Sequence, residues 1–204
     1  MANKSLAKSP TELTILVTGG AGFIGSHTCV ELLAKGFNVV IVDDLSNSSE
    51  VAVERVRKIA GVGADRCAFH EANVLDRDAM EAIFSEHDVD AIIHFAGFKA
   101  VGESVQKPLE YYWNNIAGTL VLCDVARNHG VKNIVFSSSA TVYGEPEFVP
   151  ITEDCPKHSA TNPYGQTKTM LEQVLTDLYV GDNEWNVVLL RYFNPDRKST
   201  RLNS

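Results

Sequence analysis

The stretch LTILVTGGAGFIG, residues 13–25, joins a short apolar run to a glycine-rich turn and to the start of an amphipathic segment. An apolar run that stops at glycine is typical of a buried parallel strand. Glycines at positions 19, 22 and 25 permit a tight turn, the close approach of a pyrophosphate and close packing of a helix on the strand. The spacing is GxxGxxG, whereas the usual fingerprint is GxGxxG. These residues predict a strand–turn–helix unit whose helix N-terminus faces a dinucleotide.

The next apolar run sharpens this prediction. It is FNVVIVDDL, residues 37–45, and it places Asp43 at the carboxyl end of a second strand. A carboxylate about 20 residues beyond the turn accepts hydrogen bonds from a ribose 2′-hydroxyl, whereas it would repel a 2′-phosphate. No arginine stands beside Asp43, so the sequence favours NAD over NADP. The alternative is an ordinary turn followed by a surface aspartate.

Strand-like and helix-like segments alternate along the chain. The patterns predict strands near residues 13–17, 37–45, 66–71, 90–97, 132–139 and 186–192, with helices between them, the longest over 108–128 and 163–179. This alternation indicates an α/β fold, a doubly wound parallel sheet of the Rossmann type. We expect one NAD-binding domain over 13–195, an N-terminal tail over 1–12, and a polar tail without hydrophobic periodicity over 196–204.

The composition of the chain indicates which kinds of binding partner are disfavoured. The 204 residues carry a formal net charge of -8, which disfavours nucleic acid and anionic membranes. The sequence shows neither an apolar stretch that could span a bilayer nor the apolar core of a signal peptide, so we expect a cytoplasmic protein. Four scattered cysteines, without CxxC spacing or a histidine cluster, predict buried thiols and no bound metal.

Polar side chains stand where the predicted strands end. They include Asp43, Asn73, Ser139 and Asn194. Ligands of doubly wound sheets bind outside the carboxyl ends of the strands, so we expect these side chains to converge. For Asn73 alone, a turn residue is as good an interpretation as a contact with adenine.

The motif PYGQTK, residues 163–168, carries the predicted chemistry. Its helical spacing places Tyr164 and Lys168 on one face with Cβ atoms about 6 Å apart. A lysine cation at that distance would lower the pKa of the phenol by about two units and make Tyr164 a usable general base. A hydroxyl from Ser139 could share the substrate proton. The alternative is a chance pair, because this spacing is common in helices.

Six motifs, in order, resemble the extended short-chain dehydrogenase/reductase family, and within it the UDP-sugar 4-epimerases. They are GGAGFIG (19–25), VDDLSNSS (42–49), HFAGFKAVGES (94–104), SSSATVYG (137–144), PYGQTK (163–168) and LLRYFNP (189–195). The resemblance implies that Ser139 and Tyr164 are the catalytic pair and that Lys168 tunes Tyr164 and binds ribose. It assigns to NAD the residues Gly19, Gly22, Phe23, Ile24, Gly25, Asp43, Asn47, Ser48, Asn73, Val74, Phe95, Ala96, Gly97, Lys99, Asn114, Tyr164, Lys168 and Tyr192. It assigns to the UDP-sugar Lys99, Ser139, Tyr164, Phe193 and Asn194.

The reaction that the resemblance implies is the interconversion of UDP-galactose and UDP-glucose through a transient 4-keto sugar, by a homodimer in the full-length protein. Asn73 departs from the family, which usually has aspartate at that position, although its amide oxygen can still accept a hydrogen bond from adenine. The sugar-nucleotide 4,6-dehydratases share the tyrosine and lysine but usually carry an Asp-Glu pair after the strand-end hydroxyl residue. Here Ala140 and Thr141 follow Ser139, which disfavours dehydration.

Two further interpretations stay open. Epimerases of uronic or N-acetylated sugars would differ mainly in pocket residues beyond this sequence. The family continues after RYFNP with a lobe that holds the UDP-sugar, whereas this chain continues as DRKSTRLNS. We therefore expect an N-terminal fragment with an appended tail and impaired activity, or else a non-catalytic NAD-binding module.

Overall fold

The structure, a computed structural model, describes residues 8–158 and 160–194 and contains one parallel sheet of six strands. The strands are Thr14–Thr18 (β1), Asn38–Asp43 (β2), Cys67–Glu71 (β3), Ala91–His94 (β4), Asn133–Ser139 (β5) and Asn186–Tyr192 (β6). Their order across the sheet is β3-β2-β1-β4-β5-β6. This order confirms the predicted doubly wound fold and places the reversal of strand order between β1 and β4.

Seven α-helical segments connect or flank the strands in the described part of the chain. They are Phe23–Ala34 (α1), Glu50–Ala60 (α2), Arg77–Glu86 (α3), Val101–Gln106 (α4), Pro108–Tyr112 (α5), Gly118–Asn128 (α6) and Pro163–Gly181 (α7). Trp113–Ala117 forms a π-helical turn that joins α5 to α6, and Pro10–Glu12 and Ala140–Tyr143 form 3-10 turns. None of these helices is long and apolar enough to cross a membrane.

The sheet has a helical layer on each face because its strands alternate between two cores. Val17 and Ile41 pack with α1 and α2, whereas Leu16 and Ile134 pack with α3, α6 and α7. The buried apolar side chains of these two layers are the main source of stability in such a fold.

The sequence placed most elements within a few residues, but three details differ. β4 ends at His94 and not at residue 97, because the backbone N–H groups of Phe95 and Ala96 both turn to the carbonyl of Thr18 at the end of β1. The predicted helix over 108–128 contains the π-helical turn, and α4 was not predicted.

The face of β6 that points away from α7 is only partly covered. Val188 and Leu190 are 48% and 38% exposed, whereas Val187 and Leu189, on the opposite face, pack against the core. Of the predicted tails, only residues 8–12 are described, and the segment 196–204 lies outside the described residues. The domain boundaries stay a prediction.

Candidate active site

A cleft of about 650 Å³ opens at the carboxyl ends of the strands, where the strand order reverses. Its size is typical of ligand pockets. The predicted site residues that line it are Gly19, Gly22, Phe23, Ile24, Gly25, Asp43, Asn47, Asn73, Val74, Phe95, Ala96, Gly97, Lys99, Asn114, Ser139, Tyr164, Lys168, Tyr192, Phe193 and Asn194. The fold therefore brings together residues that are up to 175 positions apart, from Gly19 to Asn194. Ser48 is the one predicted residue that does not line the cleft.

The glycine turn is fixed by close contacts with neighbouring backbone. Gly19 has φ +68°, and a Cβ atom there would lie 2.6 Å from the backbone nitrogen of Ala96. A Cβ atom on Gly25 would lie 2.3 Å from the carbonyl oxygen of Gly19. Because neither position can hold a side chain, β1 and α1 approach each other and β4 closely. Gly22 caps α1 without a side-chain hydrogen bond, so the helix N-terminus meets the cleft through its backbone.

Asp43 is held by the glycine turn and by the loop that follows β2. Its Oδ2 accepts a hydrogen bond from the backbone N–H of Ala21 at 3.0 Å, and its Oδ1 accepts from the N–H of Leu45 at 3.0 Å. The hydroxyl of Ser48 also donates to Oδ1, at 2.7 Å, and this contact turns Ser48 toward the carboxylate instead of the cleft. Asp43 is 8% exposed, and it still lines the cleft at the end of β2.

Asn73 is a turn residue that also lines the cleft, and its contact with adenine stays a prediction. Its side-chain oxygen accepts a hydrogen bond from the N–H of Leu75 at 2.9 Å, as a turn residue does, and Asn73 also lines the cleft. Its amide nitrogen donates to Asp44 Oδ2 at 2.8 Å. A carboxylate at position 73 could not donate that bond and would face Asp44 with like charge, which gives a physical reason for the amide in this chain.

Tyr164 and Lys168 lie in the first turns of α7, which Asn162 caps by accepting a hydrogen bond from the N–H of Gly165 at 2.8 Å. The ammonium of Lys168 donates to the carbonyl of Ser137 at 2.7 Å and lies 5.9 Å from the centroid of the Tyr164 ring. Lys168 is 5% exposed, and burial lowers its pKa to about 8.

The expected direction of the Tyr164 pKa is wrong for this arrangement. Burial raises the pKa of the phenol, and a hydrogen bond with Ser139 lowers it only in part. The physical reason is that desolvation disfavours the phenolate. The neighbouring ammonium is itself desolvated and points at a strand carbonyl, so it does not reverse this effect.

Asn115, which sequence reasoning missed, ties the loop after β4 to α7. Its side-chain oxygen accepts from the N–H of Phe98 at 2.8 Å, and its amide donates to the carbonyl of Phe98 at 3.0 Å and to Thr167 Oγ1 at 3.1 Å. The π-helical turn lets Asn115 point inward at 3% exposure while its neighbour Asn114 lines the cleft. Paired asparagines within an otherwise helical pattern are the sequence signal that could have revealed this site.

Glu172 is a second buried polar side chain that was missed. Its carboxylate, 0% exposed, accepts two hydrogen bonds from Arg191 at 3.0 Å each and one from Ser138 at 2.5 Å. Lys157 donates a further one at 3.3 Å, and Arg191 also donates to the hydroxyl of Tyr143 at 2.9 Å. These bonds join α7 to the ends of β5 and β6. The acid lies at the same helical spacing from Lys168 as Lys168 does from Tyr164, which is its signal in the sequence.

The side-chain hydroxyl of Thr141 is a further polar group at the cleft. Its Oγ1 is buried without a hydrogen-bond partner among the described residues, and the side chain lines the cleft beside Ser139. Buried hydroxyls are normally hydrogen bonded, so this atom indicates a ligand with a polar group at this point. The other lining residues, which the sequence did not assign to the site, are Val42, Asp44, Ser46, Ala72, Phe98, Ala100, Val101, Ser137 and Ser138.

The four cysteines are separate buried thiols, whereas two of the histidines contact each other. All four cysteines lie among the described residues and are buried free thiols, and burial raises the pKa of Cys29, Cys67 and Cys123. The fold brings His70 and His87 into contact although they are 17 residues apart in the sequence.

A family model described as the NAD dependent epimerase/dehydratase family matches residues 15–195. The chain belongs to this family. It is 62% identical to the UDP-glucose 4-epimerase of Bacillus subtilis (strain 168) over 183 residues, which are 90% of this chain and 53% of that protein. The chain thus spans about half the length of the curated relatives it matches.

Solved structures agree with this membership. The UDP-glucose 4-epimerase of Bifidobacterium longum, solved with NAD+ and UDP, superposes with a TM-score of 0.87 at 55% identity over 89% of this chain and 53% of that chain. The UDP-Glc/GlcNAc 4-epimerase of Campylobacter jejuni has a TM-score of 0.82 at 36% identity over 94% of this chain and 57% of that chain.

The cleft of this family member fits NAD. The N-terminus of α1, whose cap residue Gly22 has no side chain, suits a pyrophosphate, and the carboxylate of Asp43 suits ribose hydroxyls. The cofactor of the family is NAD, as the sequence predicted.

Proposed function

We propose that the protein to which this chain belongs interconverts UDP-galactose and UDP-glucose with NAD as its resident cofactor. The observation that carries the proposal is the convergence of Ser139, Tyr164 and Lys168 on the cleft that the glycine turn also lines. The names of the relatives and solved structures support the choice of reaction. Because the chain spans about half of those relatives, the activity is proposed for the whole protein, and the chain itself is proposed to supply the NAD site and the catalytic pair.

Tyr164 acts as the general base in this proposal. Its phenolate takes the proton of the sugar 4-hydroxyl, and the hydroxyl of Ser139 donates a hydrogen bond to the same oxygen as it becomes a carbonyl. NAD held by the glycine turn and Asp43 would supply the hydride acceptor and donor for C4, and its positive ring would favour the phenolate of Tyr164. Lys168, which is held by Ser137, fixes the position of positive charge beside the phenol. The 4-keto sugar presents its other face, Tyr164 returns the proton, and the product differs only at C4.

Dehydration is disfavoured because, among the described residues that line the cleft, no carboxyl pair lies next to Ser139. Ala140 and Thr141 follow Ser139 in a 3-10 turn, and neither side chain can donate and recover a proton as a carboxyl group does. We propose instead that the unpartnered hydroxyl of Thr141 binds a sugar hydroxyl or phosphate oxygen. An N-acetylated sugar is the second candidate substrate, favoured by the likeness to the Campylobacter enzyme.

We also propose a homodimer through the exposed faces of α5, the π-helical turn and α7. Leu109, Trp113 and Val180 are 79%, 69% and 75% exposed, which is unusual for large apolar side chains. Sedimentation of the whole protein and of its Leu109→Lys variant tests this. The proposal fails if both run as monomers.

The reaction is tested by UDP-glucose formation from UDP-galactose. The assay uses the 204-residue chain and the complete protein encoded by the reading frame that contains it, each as wild type and as Tyr164→Phe. We expect the complete protein to turn over and the phenylalanine variant to lose about 10³-fold in kcat, with NAD binding retained. The isolated chain should bind NAD but turn over slowly. UDP-N-acetylgalactosamine in parallel assays reports on the second candidate substrate.

Two results would contradict the proposal. An unchanged rate for Tyr164→Phe would remove the phenol from the chemistry. A complete protein that binds NAD but converts no UDP-sugar would favour the non-catalytic NAD-binding module.

A further inference from the structure

Two imidazole rings meet at the outer edge of the sheet, away from the cleft. His70 lies on β3, and His87 directly follows α3. Their Nε2 atoms are 2.8 Å apart, and the rings stand at 73° to each other with centroids 5.1 Å apart. Glu86 brings a carboxylate oxygen to 3.8 Å from His87 Nε2, and one donor atom from each of the three side chains lies within 4.8 Å of the other two. None of these side chains lines the cleft of the proposed reaction.

The chemistry of the donor set is that of a borderline divalent cation. Zinc takes imidazole nitrogen and carboxylate oxygen together, in tetrahedral sites that water can complete. Two nitrogens bound to one tetrahedral zinc ion at the usual bond length are about 3.3 Å apart, so the observed pair needs to separate only slightly. In the hydrogen-bonded pair one Nε2 carries the proton. For both Nε2 atoms to bind a cation, that proton moves to Nδ1 of the same ring, and no net charge changes.

Burial and access also suit a cation. The side chain of His87 is 20% exposed and that of Glu86 is 65% exposed, so the nitrogens are sheltered while the carboxylate remains in water and can close over an ion. Glu86 and His87 also border a cavity of about 360 Å³ that provides a path for entry.

We propose that His70, Glu86 and His87 bind one zinc-class divalent cation, which links the edge strand β3 to the end of α3. This inference replaces the prediction of no metal and goes beyond the proposed reaction, to which it contributes no step. Its consequence is structural: a ligand that binds only the folded chain stabilises it. β3 leads directly to Ala72, Asn73 and Val74, which line the cleft, so the cation would steady that side of it.

The test is calorimetric titration of the EDTA-treated 204-residue chain with zinc chloride, with cobalt(II) absorption as a second readout of the ligand set. We expect one ion per chain, a rise in Tm with zinc, and a loss of about 100-fold or more in affinity for His70→Ala or His87→Ala. Glu86→Gln should lose about tenfold, because a weaker oxygen donor remains. If an alanine variant does not fold, His70→Gln and His87→Gln take its place.

The matched control is His158→Ala. His158 also faces a carboxylate, Glu147, at 3.2 Å, but it lacks the second imidazole. It should bind zinc like wild type. The proposal is overturned if wild type binds zinc no more tightly than the His70 and His87 variants, or if His158→Ala weakens binding equally. Because no NAD or sugar enters this test, its outcome is independent of the proposed reaction.

Discussion

The two halves of the sheet build their shares of the cleft in different ways. In the half formed by β1, β2 and β3, the glycine turn contributes backbone to the site, and the carboxylate of Asp43 is held by residues within 22 positions of it. In the half formed by β4, β5 and β6, buried polar side chains form hydrogen bonds between residues that are far apart in the sequence. Asn115 reaches Thr167 across 52 positions, and Ser138 reaches Glu172 across 34. The half formed by β1, β2 and β3, here called the nucleotide half, therefore depends on close backbone packing. The half formed by β4, β5 and β6, here called the catalytic half, depends on hydrogen bonds between buried polar groups.

The largest expected loss of stability comes from a substitution that disrupts the backbone packing of the nucleotide half. Gly19→Ala adds a Cβ atom at a positive φ and 2.6 Å from the backbone of Ala96. We expect the free energy of unfolding to fall by about 4 kcal/mol in urea titrations, and NAD binding to be lost with it.

The control for Gly19→Ala is Gly61→Ala. Gly61 also has a positive φ, +67°, but a Cβ atom there meets nothing within 4 Å. The free energy of unfolding of Gly61→Ala should fall by only about 1 kcal/mol. Equal losses at the two positions would mean that backbone conformation, and not the close approach of β1 and β4, makes Gly19 necessary.

The second largest loss of stability is expected from a substitution in the buried hydrogen-bond network of the catalytic half. Glu172→Gln leaves the guanidinium of Arg191 without its carboxylate, and we expect a loss of about 3 kcal/mol at pH 7 in the same titrations. Glu184→Gln is the control, since its ion pair with Lys132 is at the surface, and it should change stability by less than about 0.5 kcal/mol.

The pH dependence of that loss tests its cause. Burial raises the pKa of Glu172, but hydrogen bonds from Arg191 and Ser138 outweigh it, and the net pKa lies below the ordinary 4.5. A depressed carboxyl pKa stabilises the fold fully above the unfolded value and loses that stabilisation as the pH falls. The difference between wild type and Glu172→Gln should therefore shrink below pH 4.5. A difference that stays constant with pH would assign the loss to packing alone.

The smallest expected effect has the opposite sign. Lys168→Met removes a buried ammonium whose pKa burial lowers from 10.5 to about 8, so the variant should be more stable than wild type by about 2 kcal/mol at pH 7, although inactive. Below pH 8 both folded and unfolded wild type carry this proton, and the desolvation penalty is complete. The gain should shrink as the pH rises from 8 to 10.5, because the folded chain releases the proton first.

The control for Lys168→Met is Lys58→Met, at an exposed position near the end of α2. It should shift the free energy of unfolding by less than about 0.5 kcal/mol. A Lys168→Met variant less stable than wild type would show that the bond to the Ser137 carbonyl outweighs the burial of charge.

The sequence by itself determined the fold class, the glycine turn, the acid at the end of β2 and the tyrosine–lysine pair. These features are local: apolar periodicity, glycine spacing and helical spacing each act over a few residues, so a linear pattern records them. All the predicted site residues except Ser48 line the cleft, because a parallel sheet collects its strand ends at one edge.

Only the tertiary structure decided the rest. The inward turn of Asn115, the carboxylate of Glu172 between three donors, the contact of His70 with His87, and the direction of the Tyr164 pKa all depend on which groups lose water together. Desolvation and hydrogen bonding are properties of an enclosed volume, and the residues that enclose it come from distant parts of the chain. For that reason no spacing along the sequence could specify them.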